Sequence, residues 1–448
     1  MSTTALNCVI SLLGLVLFAA YLKRRRNSSG LPFPPGSTPF PFISNVLDIP
    51  KRVPWEMYSK WADQYGDIMS IQAFGETMVI ISSARMAREL LKSVARITLT
   101  SPSSLLTKFS LQVEFTMLLV INDLRHSTTA GIVMALTYGY DITDPDDNLI
   151  AHVEDIARRA SSALLPGSTF INVFPFLLKL QHSKMKGTAH PSIILNTMNS
   201  FSENDLTEEE ECALKEVAAS LYIAGTDTAA SALAFFVLAP IGYPEVQKRA
   251  QNELDAVVGR ERLPQYEDQE SLPYINAICQ EFLRWRMDTP LWLIPRYQNL
   301  LGVPRTSIED DMYEGFFIPK GSQIVLNTWS MLHGPEAYPD PETFRPERFL
   351  RSGGAFVEDP LVNSVYGWGR RICPGIFIAN ATIWAAVASI LSAFDVRKAK
   401  DSQGSDIPVN GAYIDQGIIC HPFPFKRSIT PRDAQAEQLV VATETEME

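Results

Sequence analysis

Cysteine is scarce in this 448-residue chain, which contains only Cys8, Cys212, Cys279, Cys373 and Cys420. No two of them form a CxxC pair, and no cluster of cysteine and histidine has the spacing of a zinc site. The sequence therefore predicts no disulfide framework. We expect the folded part to lie in a reducing compartment.

An excess of positive charge is also lacking, because 39 basic residues face 50 acidic ones and the formal net charge is −11. Binding to a phosphate backbone needs a basic surface, so nucleic acid is not expected as a general partner. The hydrophobic fraction of 46% is typical of a globular protein and is enough for a sizeable core.

Charge is absent from residues 5–22, a mostly apolar run of 18 residues that just reaches the length of a membrane-spanning helix. Basic residues 23–26 follow directly, which predicts that the rest of the chain faces the cytosol. A cleaved signal peptide is the alternative, but it would carry positive charge before the apolar run. We predict an anchor over 5–22 and a basic, proline-rich hinge over 23–49, whose five prolines in 31–42 favour a stiff extended spacer.

Beyond residue 50 the pattern is mainly helical, with short strands. Residues 69–74 and 77–82 are strand-like and are separated by Gly75-Glu76, which predicts an antiparallel hairpin. The segment 433–448 is acidic at its end, and we expect it to be frayed.

A long helix is predicted from the capping-box spacing of Thr207 and Glu210. Its middle contains Ala224–Thr228, where glycine costs about 1 kcal/mol relative to alanine and an unpaired buried aspartate costs more. One interpretation is a polar patch that faces a neighbour, with threonine bonded to the carbonyl four residues earlier. The other is a helix that passes close over a flat cofactor and presents a hydroxyl and a carboxyl group to it.

The segment Tyr366–Gly375 reads YGWGRRICPG. Gly367 and Gly369 allow a tight loop and a close backbone approach. Pro374 suits the first turn of the apolar, helix-compatible segment that follows. Cys373 is therefore predicted to lie at the N-terminus of a helix.

This helix end and the flanking Arg370 and Arg371 favour the thiolate form of Cys373. A thiolate in a glycine loop is a suitable axial ligand for haem iron. A buried core thiol would not explain the glycines and arginines, a zinc site lacks further ligands, and a redox cysteine usually has a resolving partner nearby.

These residues resemble the motifs of the cytochrome P450 family. Its haem loop, Phe-x-x-Gly-x-Arg-x-Cys-x-Gly, matches Tyr366–Gly375 except at Tyr366, and its oxygen-activation motif is similar to Ala224–Thr228. Its Glu-x-x-Arg and Pro-Glu-Arg-Phe motifs match Glu281–Arg284 and Pro346–Phe349, which alone would indicate an ordinary exposed ion pair and a loop. The resemblance covers about residues 31–424, and residues 338–349 are similar to fungal members of secondary metabolism.

The resemblance implies a mainly α fold with small β-sheets, in which one large haem domain (50–430) follows the anchor and precedes an acidic tail (431–448). It implies a monooxygenase that contains haem b and inserts one oxygen atom from dioxygen into a lipophilic small molecule. Electrons would come from an NADPH-dependent cytochrome P450 reductase. The implied location is the endoplasmic reticulum membrane, where the single-pass anchor contacts lipid and the body is cytosolic.

The resemblance also implies roles for individual residues. Cys373 would be the proximal iron ligand, whose electron donation favours O–O cleavage. Asp227 and Thr228 would deliver protons, and Gly225 would leave room for dioxygen. The other implied residues are the cofactor-binding Gly369, Gly375, Arg371 and Arg305, and a buried ion-pair triad of Glu281, Arg284 and Arg348.

The chain departs from the family pattern in three places. The Trp-x-x-x-Arg helix that holds a haem propionate is missing, because no tryptophan occurs between Trp61 and Trp285 and residues 100–122 are unfamiliar. The roof of the substrate site is short near 180–190, and residues 292–301 look inserted. Two alternatives therefore stay open, a catalytically impaired member that binds haem weakly and a membrane-tethered binding protein without haem.

Overall fold

The structure is a computed structural model that describes residues 30–40, 44–45, 47–49, 54–73, 76–92, 197, 207–286, 305–307, 309–369, 372–409, 411, 413–415 and 420–445. The predicted anchor, much of the hinge, the two shortened regions and the predicted insertion lie outside these residues.

Helices dominate the described part of the chain. They are α1 Pro54–Tyr65, α2 Ala84–Lys92, α3 Glu208–Phe236, α4 Leu238–Gly242, α5 Pro244–Val257, α6 Pro273–Trp285, α7 Thr328–His333, α8 Ile376–Ala393 and α9 Ala434–Thr445. The strands are β1 Ile68–Ala73, β2 Glu76–Ile81, β3 Arg305–Thr306, β4 Asp311–Tyr313, β5 Phe316–Ile318, β6 Gln323–Leu326, β7 Phe394–Lys398, β8 Tyr413–Asp415, β9 Cys420–Pro422 and β10 Arg427–Pro431.

The largest described sheet has the strand order β1-β2-β6-β3. The predicted hairpin is confirmed, because β1 and β2 pair antiparallel with Met69 opposite Ile80. Alternate residues point to opposite faces of a strand. Met69 and Ile80 accordingly pack into the main core with Trp55, while Val79 packs with Met86 on the other face.

The main core is built around α8, which packs against α3, α5 and α6. From Ala381 onward every residue of α8 is buried except Ala385, which is half-buried. The predicted capping box of α3 is present, since the Thr207 side chain accepts from the Glu210 backbone N–H and the Glu210 side chain accepts in return. The predicted stop near Pro240 is a break at Val237, after which the short helix α4 contains this proline.

Two apolar stretches of the described helices, Ala224–Gly242 and Ile376–Ala393, are long enough to cross a membrane. They are 65% and 67% buried inside the fold, and a core helix of a soluble protein passes the same test. This finding alone is therefore weak evidence of membrane association.

The prediction of a frayed C-terminal segment is wrong for residues 434–445, which form α9. Asp433 accepts from the backbone N–H of Ala436 at 3.0 Å and pairs with Arg260 at 2.7 Å. The neighbouring Arg432 binds both carboxylate oxygens of Asp255. The partners on α5 and just after it are distant in sequence, so local composition did not reveal that α9 is held in place.

Candidate functional site

Glu281 and Arg284 form a buried ion pair on α6, and both side chains are 0% exposed. Arg284 Nε donates to Glu281 Oε2 at 2.7 Å, and Arg284 Nη2 donates to Glu281 Oε1 at 3.0 Å. Arg348 Nε donates to the same Oε1 at 3.1 Å. The prediction of an exposed pair, which rested on the spacing alone, is therefore wrong, because the 3₁₀ turn Pro346–Phe349 covers α6 at this point.

The remaining donors of the two arginines end on backbone carbonyls. Arg284 Nη1 donates to Leu332 O at 3.0 Å, and the others bind the segment Pro339–Thr343. Arg284 Nη2 donates to Pro341 O at 2.7 Å, and Arg348 donates to Pro339 O at 2.8 Å and to Thr343 O at 3.0 Å. Hydrogen-bonded partners of this kind are what a buried charge requires. Sequence reasoning missed this segment, because a backbone acceptor has no residue type that marks it.

His333 is a second group that the sequence analysis did not identify. Its ring stacks on Trp329 with the centroids 3.4 Å apart, and it is 9% exposed. Burial lowers the pKa of His333 to about 3, and the positive charges of Arg284 and Arg286 lower it further. The histidine is therefore neutral in the folded protein at physiological pH.

Thr228 lies in the middle of α3, and its Oγ1 donates to Ala224 O at 2.6 Å. This is the local bond that the polar-patch interpretation anticipated. The same hydroxyl oxygen still has lone pairs with which it can accept a proton or a hydrogen bond. Gly225 and Asp227 lie in the same helix, although the side chain of Asp227 is outside the described part.

Cys373 closes a loop between the 3₁₀ turn Val362–Tyr366 and α8. Its backbone N–H donates to Tyr366 O at 2.8 Å. Gly367 and Gly369 have φ of +85° and +66°, a region that only glycine adopts without strain. A Cβ on Gly369 would stand 2.7 Å from Leu91 O of α2, so this position also needs glycine for space.

The predicted start of the helix after Cys373 needs a correction. The N-cap of α8 is Gly375 and its first residue is Ile376, so Pro374 lies in the turn before the helix rather than in its first turn. Gly375 lies close to the thiol, because a Cβ there would be 3.7 Å from Cys373 Sγ.

The cationic partners predicted for a haem are described only in part. Arg371 and its neighbour Arg370 lie outside the described residues. Arg305 is in β3, which pairs antiparallel with β6, but its side chain is not described.

Three cysteines in the described part of the chain form no disulfide, and Cys373 differs from the other two by its position in the glycine loop. Cys420 is 1% exposed, whereas Cys279 is half-buried like Cys373, and its surroundings raise the pKa of the Cys279 thiol by desolvation. Cys373 is partly exposed and lies in the glycine loop. Within the described residues, no group of three or more His, Cys, Asp and Glu side chains could hold a metal ion.

These features fit a haem iron bound by one protein sulfur. Cys373 is half-buried, and the backbone before it turns through two glycines at positive φ. A single soft sulfur donor is the type of ligand that a haem-thiolate site uses.

Comparison with known proteins agrees with this site. Residues 34–113 and 168–426 match the family model Cytochrome P450, so the chain belongs to the cytochrome P450 family. Cytochrome P450 monooxygenase 208 of Postia placenta is 31% identical and the alignment covers 96% of each chain. Cytochrome P450 monooxygenase ple1 of Rhodocybe pseudopiperita is 32% identical over 91% of each, and monooxygenase claR of Ampulloclitocybe clavipes is 29% identical over 98% of this chain and 92% of that one.

The chain is thus a P450 monooxygenase by family, an oxidoreductase with the helical P450 fold and its small β-sheets. Such enzymes use haem iron, dioxygen, a small-molecule substrate and a redox partner.

The alignments also reveal that residues are missing from this chain. The alignment with monooxygenase 208 is 512 positions long, whereas this chain has only 448 residues. At least 64 residues of monooxygenase 208 are therefore aligned with gaps in this chain. Residues 114–167 are present in the chain but lie between the two segments that the family model matches.

Proposed function

We propose that this protein is a haem-thiolate monooxygenase that inserts one atom of dioxygen into a lipophilic small molecule of fungal secondary metabolism. The observation that carries the proposal is the position of Cys373, a partly exposed thiol in a loop of positive-φ glycines directly before the apolar helix α8. The names of the fungal relatives support the monooxygenase chemistry.

Bound haem b would supply the oxidising power. The protein would hold the haem, shield it from water and deliver protons to the oxygen that is reduced. Cys373 is the proposed iron ligand, with Gly369 and Gly375 keeping its loop narrow, and Arg371 and Arg305 are the proposed partners of the propionates. The triad of Glu281, Arg284 and Arg348 joins α6 to the turn Pro346–Phe349 and stiffens the core from which the cysteine loop extends.

On α3, the Thr228 hydroxyl and the Asp227 carboxylate are proposed to pass protons to the oxygen that is reduced. A helix that carried these residues for packing alone would gain little from an interior glycine, which costs about 1 kcal/mol relative to alanine. Gly225 would leave space for dioxygen beside this pair. α3 and α8 pack against each other, which is consistent with one site shared by the two helices.

We further propose that residues 5–22 anchor the protein in the endoplasmic reticulum with the body in the cytosol, where an NADPH-dependent cytochrome P450 reductase delivers electrons. The uncharged apolar run followed by residues 23–26 supports this orientation. Protease added to intact microsomes should therefore digest the body, whereas a body protected inside the vesicles would contradict it.

A second candidate is a family member that binds haem weakly and turns over poorly. The observation that favours it is the deficit of at least 64 aligned positions relative to monooxygenase 208. It concerns the activity of this chain rather than the chemistry of the site.

The proposed function is tested by reconstitution of the full chain with a fungal NADPH–P450 reductase and labelled dioxygen. We expect one ¹⁸O atom in a product of a lipophilic substrate library, which Cys373→Ala abolishes. Cys279→Ala is the matched control, because this half-buried thiol lies on α6, remote from the loop in sequence, and the variant should keep the product. Equal product from Cys373→Ala and the unaltered chain would reject the assignment.

A further inference from the structure

We propose that Tyr366 is a positioning residue for Cys373 and that it acts through a hydrogen bond from its hydroxyl group to Asn380. This inference deepens the proposed function and rests on it, because the role of Cys373 as an iron ligand gives the position of its sulfur a functional meaning.

Tyr366 is bonded at both ends. Its Oη donates to Asn380 Oδ1 at 2.6 Å, and its backbone carbonyl accepts from the Cys373 N–H at 2.8 Å. Its ring is 8% exposed and packs in the main core. One residue therefore connects the cysteine to the body of α8, which begins three residues after that cysteine.

The loop needs such a connection for a physical reason. Between Tyr366 and Cys373 the backbone passes through Gly367 and Gly369, the residue type that loses the most conformational freedom on folding. The first turn of α8 has no side-chain cap, since Gly375 is its N-cap. A short bond from Tyr366 to the second turn of α8 restricts the movement of the loop relative to the helix.

The bond also accounts for two unusual residue choices. The family pattern has phenylalanine where this chain has Tyr366, and phenylalanine has no hydroxyl group. Asparagine is a weak helix former, because its side chain competes for nearby backbone groups. Asn380, within α8, instead uses its amide oxygen to accept from Tyr366.

The test compares Tyr366→Phe and Asn380→Leu, alone and together, with Asn380→Asp, which keeps an acceptor oxygen. Tyr274→Phe is the matched control, because Tyr274 is a buried tyrosine whose hydroxyl binds Glu347 at 3.0 Å, outside the loop. Hydrogen exchange of the Cys373 amide is measured on the full chain without haem. The fraction of thiol-type ferrous–CO signal is measured on haem-loaded protein.

We expect Tyr366→Phe and Asn380→Leu each to accelerate exchange of the Cys373 amide about fivefold, the factor that corresponds to one net hydrogen bond. The double variant should exchange no faster than either single variant. Asn380→Asp should exchange as slowly as the unaltered chain, and Tyr274→Phe should leave the exchange rate of the Cys373 amide unchanged. In loaded protein the same two variants should convert more of the thiolate-type signal to the thiol type.

The inference is overturned if Tyr366→Phe exchanges like the unaltered chain, or if the effects of the two single variants add. If Asn380→Leu does not fold, the exchange rates of the Cys373 amide in Tyr366→Phe and Asn380→Asp still test the inference. A chain that takes up no haem rejects the proposed function, whereas the exchange experiment still reports whether Tyr366 holds the cysteine loop.

Discussion

The Thr228 hydroxyl is bonded to Ala224 O within α3, so its removal costs the helix little. Alanine is also the better helix former. We therefore expect Thr228→Ala to keep haem and to consume NADPH while releasing peroxide in place of product, because the proposed proton path is broken. The ratio of product to NADPH consumed measures this coupling.

Ser231→Ala is the matched control for Thr228→Ala, since the Ser231 hydroxyl lies in the same helix and donates to Cys420 O. It should lower stability without uncoupling the reaction. Unchanged coupling in Thr228→Ala would remove Thr228 from the proton path.

His333 makes folding sensitive to acid. Its pKa falls from an ordinary 6.5 to about 3 in the folded protein, so below pH 6.5 the unfolded chain takes up a proton that the folded chain excludes. The free energy of unfolding should therefore fall as pH drops from about 6.5 towards 3, and be unaffected by this group above that window. The expected loss between pH 7 and pH 5 is about 2 kcal/mol.

Urea denaturation at several pH values measures this loss. His333→Phe keeps an aromatic ring on Trp329 but removes the titrating group, so its stability should depend less on pH over the same window. The idea fails if the variant and the unaltered chain lose the same free energy between pH 7 and pH 5.

Among the elements, the junction between α6 and the turn Pro346–Phe349 depends on one carboxylate. Glu281 accepts from Arg284, Arg348 and the Arg345 backbone N–H, so Glu281→Gln leaves two buried arginines without a counter-charge. Breaking a buried pair on one side typically costs about 3–5 kcal/mol. We expect Glu281→Gln to lower the free energy of unfolding by that amount, measured by chemical denaturation.

Glu314→Gln is the matched control, because Glu314 also binds an arginine at 2.7 Å but the Arg85 and Glu314 side chains are 56% and 36% exposed. Exposed pairs typically contribute about 0–1 kcal/mol. Equal losses in the two variants would mean that burial does not strengthen the triad.

The sequence predicted elements whose signals are local. The capping box of α3 and the β1–β2 hairpin are examples, because adjacent residues supply both partners. The spacing alone did not predict that Glu281 and Arg284 are fully buried, because an i,i+3 spacing is the same on an exposed and a buried helix face. The buried pair was expected only from the resemblance to the family. Sequence reasoning also missed α9, because the ion pairs just before this helix, Arg432 with Asp255 and Asp433 with Arg260, join segments far apart in the chain.

For the candidate site, the loop glycines and Cys373 were recognisable because positive φ and metal ligation each require a particular residue type. The hydrogen bond between Tyr366 and Asn380 was not, since any polar side chain can meet a tyrosine hydroxyl group in space.

For the whole molecule, the missing positions bear on haem retention. A propionate is anionic, and each lost cationic partner leaves its charge poorly compensated. Residues 100–122 contain only Lys108 as a cation and no tryptophan. We predict that the chain holds haem weakly although Cys373, Glu281 and Thr228 are present.

This prediction is tested with a graft. Insertion of a Trp-x-x-x-Arg helix and a complete roof from a close relative, together with deletion of residues 292–301, should raise the ratio of haem to protein after purification. A control graft with alanine in place of the tryptophan and arginine should not raise it. If the unaltered chain already purifies with full haem, the missing positions do no damage.

The ferrous–CO difference spectrum of the purified full-length chain tests the central claim most directly, that Cys373 binds haem iron as a thiolate. We predict a thiolate-type band whose amplitude corresponds to less haem than protein, and which grows when haem is added in excess. A chain that gives only a thiol-type band, or no band after excess haem, contradicts the account.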